Sequence, residues 1–228
     1  MKKLMYLLIP VLFAGCAMTQ KIGYRTDILP EQQHVNPIPI SVNVHFLTDN
    51  RMLNNENEIS LYQPRSTTNN KKAVCVNSEK HYKKDSVSAQ LTQMMVSHFN
   101  KARLFNYCIL SNEPACDYYL TGTLNTFYGE QEFSTAAAVG AQFGLIGALA
   151  TAAVKTNGRI IFDISDIKLY KKDGTLVKDM GGFYKEYNEE LPADAYCWCI
   201  YNNINQKLME YNTYLTEKIR SELAEIQF

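Results

Sequence analysis

The feature that most constrains the fold is a long apolar stripe near the carboxyl end of the chain, between residues 192 and 226. Its apolar side chains recur every three or four positions, which is the spacing of one face of an α-helix. They are Ile200, Ile204, Leu208, Tyr211, Leu215, Ile219 and Leu223. Pro192 suits the first turn of a helix, and Asp194 complements its positive amino-terminal end. The stripe therefore predicts a helix that crosses a sheet and closes the core.

A second amphipathic helix is predicted over residues 86–105. Asp85 is a natural N-cap, and apolar residues again follow at helical spacing. They are Val87, Leu91, Met94, Met95 and Ala102, with His98 on the same stripe. On such a stripe His98 reads as a core or boundary residue rather than a metal ligand.

Alternating apolar and polar residues predict the strands. The clearest are residues 40–47 and 117–128, and two short strands are expected near residues 59–62 and 73–76. Residues 160–187 predict a long hairpin. Its turn is Asp173-Gly174, which favours a type I′ turn with positive φ at both central residues. The alternation slips at Ser165-Asp166, which indicates a bulge.

These elements predict an α+β domain over residues 40–228. We expect a mixed or antiparallel sheet of four or more strands, with the two long helices packed on one face. An Ala/Gly-rich hydrophobic helix is expected in addition, within residues 133–154.

The amino-terminal residues resemble the export signal of bacterial lipoproteins. Lys2 and Lys3 precede an apolar core at residues 4–13, which is the length of a signal-peptide core and too short to span a bilayer. Phe13-Ala14-Gly15-Cys16 follows and is similar to a lipobox. The resemblance implies a signal peptide over residues 1–15, cleavage between Gly15 and Cys16, and attachment of several acyl chains, palmitate among them, to Cys16.

The expected location follows from that resemblance. Ala17 follows the cysteine where an aspartate would signal retention in the inner membrane, so we expect the outer membrane, with the domain in the periplasm. Residues 16–39 are polar and contain three prolines, and they are predicted to form a tether of about 65 Å when extended. Lys and Arg together number 23, as do Asp and Glu, so no basic surplus points to a nucleic-acid partner.

Residues 133–154 contain no charged side chain, although Glu132 and Lys155 flank them. As a helix this stretch would reach about 33 Å, the thickness of a bilayer core. Gly140 and Gly144 form a G-x-x-x-G pattern, with Gly147 one turn further on, and such small-residue faces let helices associate in lipid. Two interpretations stay open: a membrane-embedded or self-associating helix, and a buried or surface insertion.

The remaining candidate chemistry is sparse. Cys108 and Cys116 bracket a short loop and are a candidate disulfide pair. No C-x-x-C, H-E-x-x-H, G-x-S-x-G or phosphate-binding glycine motif occurs, so we expect no enzyme activity, no metal and no cofactor beyond the lipid on Cys16.

The order of the elements resembles the ABC-type transport auxiliary lipoproteins. The resemblance lies in PIPISVNVHFLTDNR, KARLF, DYYLTGTLNTF and PADAYCWCIYNNINQKL, and it covers most of residues 36–226. It implies a non-enzymatic adaptor for an envelope transport or assembly machine. We expect sheet edges and loops to carry the binding, with β-strand addition at an open edge as one binding mode. The insertion at residues 133–154 is more similar to surface-exclusion lipoproteins. The alternative is therefore an outer-membrane lipoprotein that assembles with itself, as a ring or channel, through that helix.

Overall fold

A computed structural model describes residues 22–29, 36–51, 74–76, 87–113, 115–132, 134–143, 153–193 and 198–228. The strands are β1 (Ile38–Val44), β2 (Thr48–Asp49), β3 (Val74–Val76), β4 (Phe105–Leu110), β5 (Tyr118–Glu132), β6 (Lys155–Lys171), β7 (Leu176–Asp179) and β8 (Phe183–Pro192). The helices are α1 (Val87–Lys101), α2 (Thr135–Gln142) and α3 (Trp198–Leu223), and a 3₁₀ turn spans Thr26–Ile28.

The strands form one mixed sheet. Its order is β4-β1-β5-β6-β7. β8 also pairs with β6, along the same edge as β7 but further along the strand. β1 runs parallel to both β4 and β5, whereas β5 and β6 are antiparallel. The predicted α+β class with a mixed sheet is confirmed.

The inward side chains of the sheet pack against α1 and α3. Along β5 and β6 buried and partly exposed residues alternate, so one face of the sheet is the core and the other is open. All seven residues of the predicted carboxyl-terminal stripe are buried, with exposures of 2% or less. The expected arrangement of two long helices on one face is therefore confirmed.

The ends of both helices differ from the predictions. α1 ends at Lys101 rather than residue 105, because Arg103 adopts a left-handed φ of 49° and Phe105 already begins β4. Pro192 is the last residue of β8 and does not begin the helix. The predicted first-turn Asp194, the predicted N-cap Asp85 and the strand expected near residues 59–62 lie outside the described residues.

The long hairpin is confirmed with one correction. Asp166 has a φ of 52° and the β5–β6 register shifts beside it, which is the predicted bulge. At the turn only Gly174 has a positive φ, of 88°, so the predicted type I′ turn is wrong. The Gly174 amide donates to the Lys171 carbonyl, and the Asp173 carboxylate accepts from the Thr175 amide. This is the pattern of a turn that is followed by a glycine bulge.

Candidate interaction surface

The open face of the sheet carries a row of stacked rings on β5, on β6 and just after the end of β1. The ring centroids of His45 and Tyr119 are 4.8 Å apart with an interplanar angle of 6°, and those of Tyr119 and Tyr170 are 5.0 Å apart at 11°. Register explains the row, because Asn43 of β1 pairs with Tyr119 of β5, which pairs with Tyr170 of β6. We call His45, Tyr119 and Tyr170 the aromatic row.

The rings of the aromatic row stack nearly parallel to one another, and its histidine is neutral. Partial burial lowers the pKa of His45, so its imidazole is neutral at pH 7. Tyr107 of β4 is 55% exposed and pairs with Ser41 on the same face, one pleat away from the row. Rings stacked in this way cover one another's faces, so the row offers ring edges together with tyrosine hydroxyl groups. Such a mixture of apolar and polar groups is one that protein interfaces favour.

A polar cluster occupies another part of the open face. Arg159 contacts both carboxylate oxygens of Glu186, at 2.9 and 3.3 Å, and the Tyr184 hydroxyl donates to the same carboxylate at 2.6 Å. Hydrogen bonds from Arg159, Tyr184 and Asn188 lower the pKa of Glu186 to about 2. Glu186 is therefore held ionised, which makes it a poor proton donor.

The two outer edges of the sheet differ in their chemistry. β8 carries Lys185, Glu186, Glu189 and Glu190, and charged side chains of this kind discourage unwanted strand pairing. β4 has no charged residue, but the Asn100 side chain of α1 occupies its middle. The Asn100 amide donates to the Cys108 carbonyl at 2.8 Å and accepts from the Cys108 amide at 3.2 Å. A partner strand would have to displace Asn100 in order to pair with β4 at Cys108.

Part of the segment predicted as a tether, residues 16–39, is docked on the domain. Residues 22–29, which we call the strap, lie against α1 and α3. The Ile22 amide donates to Gln90 at 3.2 Å, and the Gly23 amide donates to Asn205 at 2.8 Å. Ile22 itself belongs to the hydrophobic core. The reach available between Cys16 and the domain is therefore six residues, about 20 Å, rather than the expected 65 Å.

A partly buried hydrogen-bond chain fixes the strap to both helices. Asn212 donates to the Tyr24 hydroxyl at 2.8 Å, and this hydroxyl lies 2.6 Å from His98 Nδ1. The other ring nitrogen of His98 lies 3.5 Å from the Thr213 hydroxyl. Because the Tyr24 hydroxyl accepts from Asn212, it can donate its own proton to Nδ1 of His98. The ring proton of His98 is then on Nε2. Burial lowers the pKa of His98 to about 4, and the ring is neutral.

Only some of the glycine and cysteine residues predicted as sites lie within the described residues. Gly15, Cys16, Gly144 and Gly147 lie outside the described residues. Gly140 lies in α2 and is buried.

The predicted disulfide is not formed in the structure. Cys108 and Cys116 are both buried and free, and burial raises the pKa of the Cys108 thiol to about 12. The Cys108 side chain lies in the hydrophobic core, where a protonated thiol packs as a small apolar group.

Neither a metal site nor a membrane-spanning helix occurs in the part of the chain that the structure describes. No three His, Cys, Asp or Glu side chains within it are grouped so that they could hold a metal ion. Within the same residues no helix combines the length and the apolar character that crossing a bilayer requires. The described part of the Ala/Gly-rich stretch is the eight-residue helix α2.

Comparison with known proteins finds likenesses among solved structures. No family model and no curated protein matches the chain. A crystal structure of a Xanthomonas campestris protein described by the family model DUF330 matches with a TM-score of 0.47 and 10% identity, over 90% of this chain and 98% of that one. At this identity and score, the likeness carries no argument about function.

Proposed function

We propose that this chain is a non-enzymatic lipoprotein adaptor of the bacterial cell envelope. Acyl chains on Cys16 hold it at the outer membrane, and its α+β domain presents the open sheet face to a protein of a transport or assembly machine. The observation that carries the proposal is the aromatic row on a sheet face that α1 and α3 leave open. The lipobox-like residues before Cys16 support the anchor.

The surroundings of the aromatic row support a binding role. Small polar side chains lie next to it on the same face, among them the partly exposed Thr121 and Thr123 of β5. Tyrosine is one of the residues that are enriched among interface hot spots. The backbone of β5 is paired on both sides, so binding would order little additional chain.

Neither His98 nor Glu186, whose pKa values are both strongly lowered, supports a hydrolase site. His98 is buried and engaged by Tyr24 and Thr213, so its nitrogens do not reach solvent. Glu186 is held ionised by Arg159. Both arrangements stabilise packing or charge pairing rather than presenting a reactive group to a substrate.

The adaptor role predicts that the aromatic row determines partner capture. We expect photoreactive benzoylphenylalanine at Tyr107 to crosslink in cells to an envelope protein other than this chain. Tyr119→Ala should reduce that product about fivefold, because an aromatic contact is worth about 1 kcal/mol. Gel separation and mass spectrometry of the crosslinked product provide the measurement.

Thr121→Ala is the matched control, because it changes the same face of the same strand without removing a ring. Thermal unfolding of both variants checks that the domain is intact. A crosslink to a second copy alone would contradict the adaptor role and favour the self-assembling alternative. Equal amounts of crosslinked product from the two variants would show that the aromatic row is not part of the binding surface.

A further inference from the structure

Three exposed apolar side chains lie in the segment that joins β5 to β6. Val139 and Phe143 of the α2 region are 49% and 72% exposed, and Val154 just before β6 is 37% exposed. We call these three residues the apolar tip. They lie between the last residue of β5 and the first residue of β6, at the end of the long β5–β6 pair, where Gln131 pairs with Gly158.

The beginning of α3 is at the same end of the molecule. Pro192, the last residue of β8, pairs with Lys155, and the Gln131 side chain donates to the Pro192 carbonyl at 2.9 Å. The Ala193 amide donates to the Val154 carbonyl at 2.8 Å. α3 begins at Trp198, five residues after Ala193.

The strap leads the chain toward this end. The Tyr24 hydroxyl accepts a hydrogen bond from Asn212 of α3. The Gly23 amide donates to Asn205, which is seven residues nearer the beginning of the helix. Seven residues of helix correspond to about 10 Å. Read toward its amino terminus, the strap therefore runs along α3 toward the apolar tip.

We propose that the apolar tip lies against the lipid bilayer that holds the acyl chains of Cys16. The inference rests on the proposed function, because it takes Cys16 as the lipid-bearing residue. Only five residues lie between Cys16 and Ile22, so the anchor keeps this end of the domain within about 20 Å of the membrane. Phe143 enters the interfacial layer, where a large apolar side chain gains free energy by leaving water.

The chemistry of the surface fits lipid as the occupant. Residues 134–154 contain no charged side chain, so no ionised group has to be brought to the interface with Phe143. This orientation points the strands of the β5–β6 pair at the membrane. Tyr119 is thirteen residues from Glu132 along β5, so the aromatic row stands up to about 40 Å above the lipid.

The test uses the full chain in native membranes with benzoylphenylalanine in place of Phe143 or, as the control, Tyr107. Both side chains are exposed, and Tyr107 lies on β4, beside β1 and away from the β5–β6 tip. After irradiation, we expect at least about tenfold more phospholipid adduct at Phe143 than at Tyr107, because bulk contact with the bilayer is confined to the tip. Mass spectrometry of the tryptic peptides identifies the adducts.

The outcomes separate the two proposals. Phospholipid adducts at Phe143 support the inference, whereas crosslinking through Phe143 to a second copy, or no product, overturns it. Cys16→Ser is fractionated in parallel. If Cys16→Ser stays with the membrane as the wild type does, the proposed anchor fails. If Cys16→Ser is released but the wild type gives no lipid adduct at Phe143, only the orientation fails.

Discussion

Phe162→Ala is expected to lower the free energy of unfolding by about 3–5 kcal/mol. Phe162 is 2% exposed in the middle of β6, and its ring centroid lies 5.2 Å from that of Tyr211 and 5.6 Å from that of Phe127. It also lines a small apolar cavity between the sheet and the helices. Truncation therefore enlarges an existing void and removes ring contacts from both layers. Urea unfolding followed by circular dichroism measures the loss.

Ile161→Ala is the matched control for Phe162→Ala. Ile161 is the preceding residue of β6, but it is partly exposed on the open face, between Tyr128 and Glu186. Its truncation should cost under about 1 kcal/mol, because it removes cross-strand contacts without opening a cavity in the core. Similar losses for the two variants would contradict the assignment of the sheet faces.

The stability of the domain is expected to fall as the pH is lowered from about 6.5 to 4, and His98 contributes to that fall. The folded-state pKa of His98 is lowered to about 4 by burial, from an ordinary 6.5. Between the two pKa values His98 is protonated in the unfolded chain but not in the folded chain. The free energy of unfolding therefore falls as the pH is lowered. The contribution is about 1.4 kcal/mol per pH unit and about 3 kcal/mol in total, and it levels off below the folded-state pKa.

His98→Gln isolates this contribution, because glutamine retains hydrogen-bonding capacity without a titration in this range. We expect the urea midpoint of the wild type to fall more steeply between pH 7 and 4.5 than that of His98→Gln, while the carboxylates act equally on both. Parallel pH profiles would show that His98 protonates as readily in the folded domain as in the unfolded chain. That result would contradict the buried, neutral ring.

The main elements could be predicted from the sequence because periodicity reports which side of an element is buried. The stripe from Ile200 to Leu223 and the alternation along β5 both depend on local spacing, and both predicted the buried face. The bulge at Asp166 could be predicted for the same reason, because a bulge shifts the alternation of buried and exposed side chains by one residue.

The strap and the aromatic row were beyond this kind of reasoning. The strap is held by contacts such as Gly23 with Asn205, 182 residues apart in sequence, and a polar, proline-containing segment gives no local sign of docking. The only sequence signal was the pair of apolar residues Ile22 and Tyr24. The stacking of His45 on Tyr119 could not be predicted, because it depends on the register of three strands, β1, β5 and β6.

The mass of the amino-terminal peptide tests the central claim, a domain held at a membrane through Cys16, most directly. We predict that protein purified from native membranes begins at Cys16 and carries the mass of several acyl chains on that residue. A mature chain beginning at an unmodified Cys16, or one that retains residues 1–15, would contradict the account.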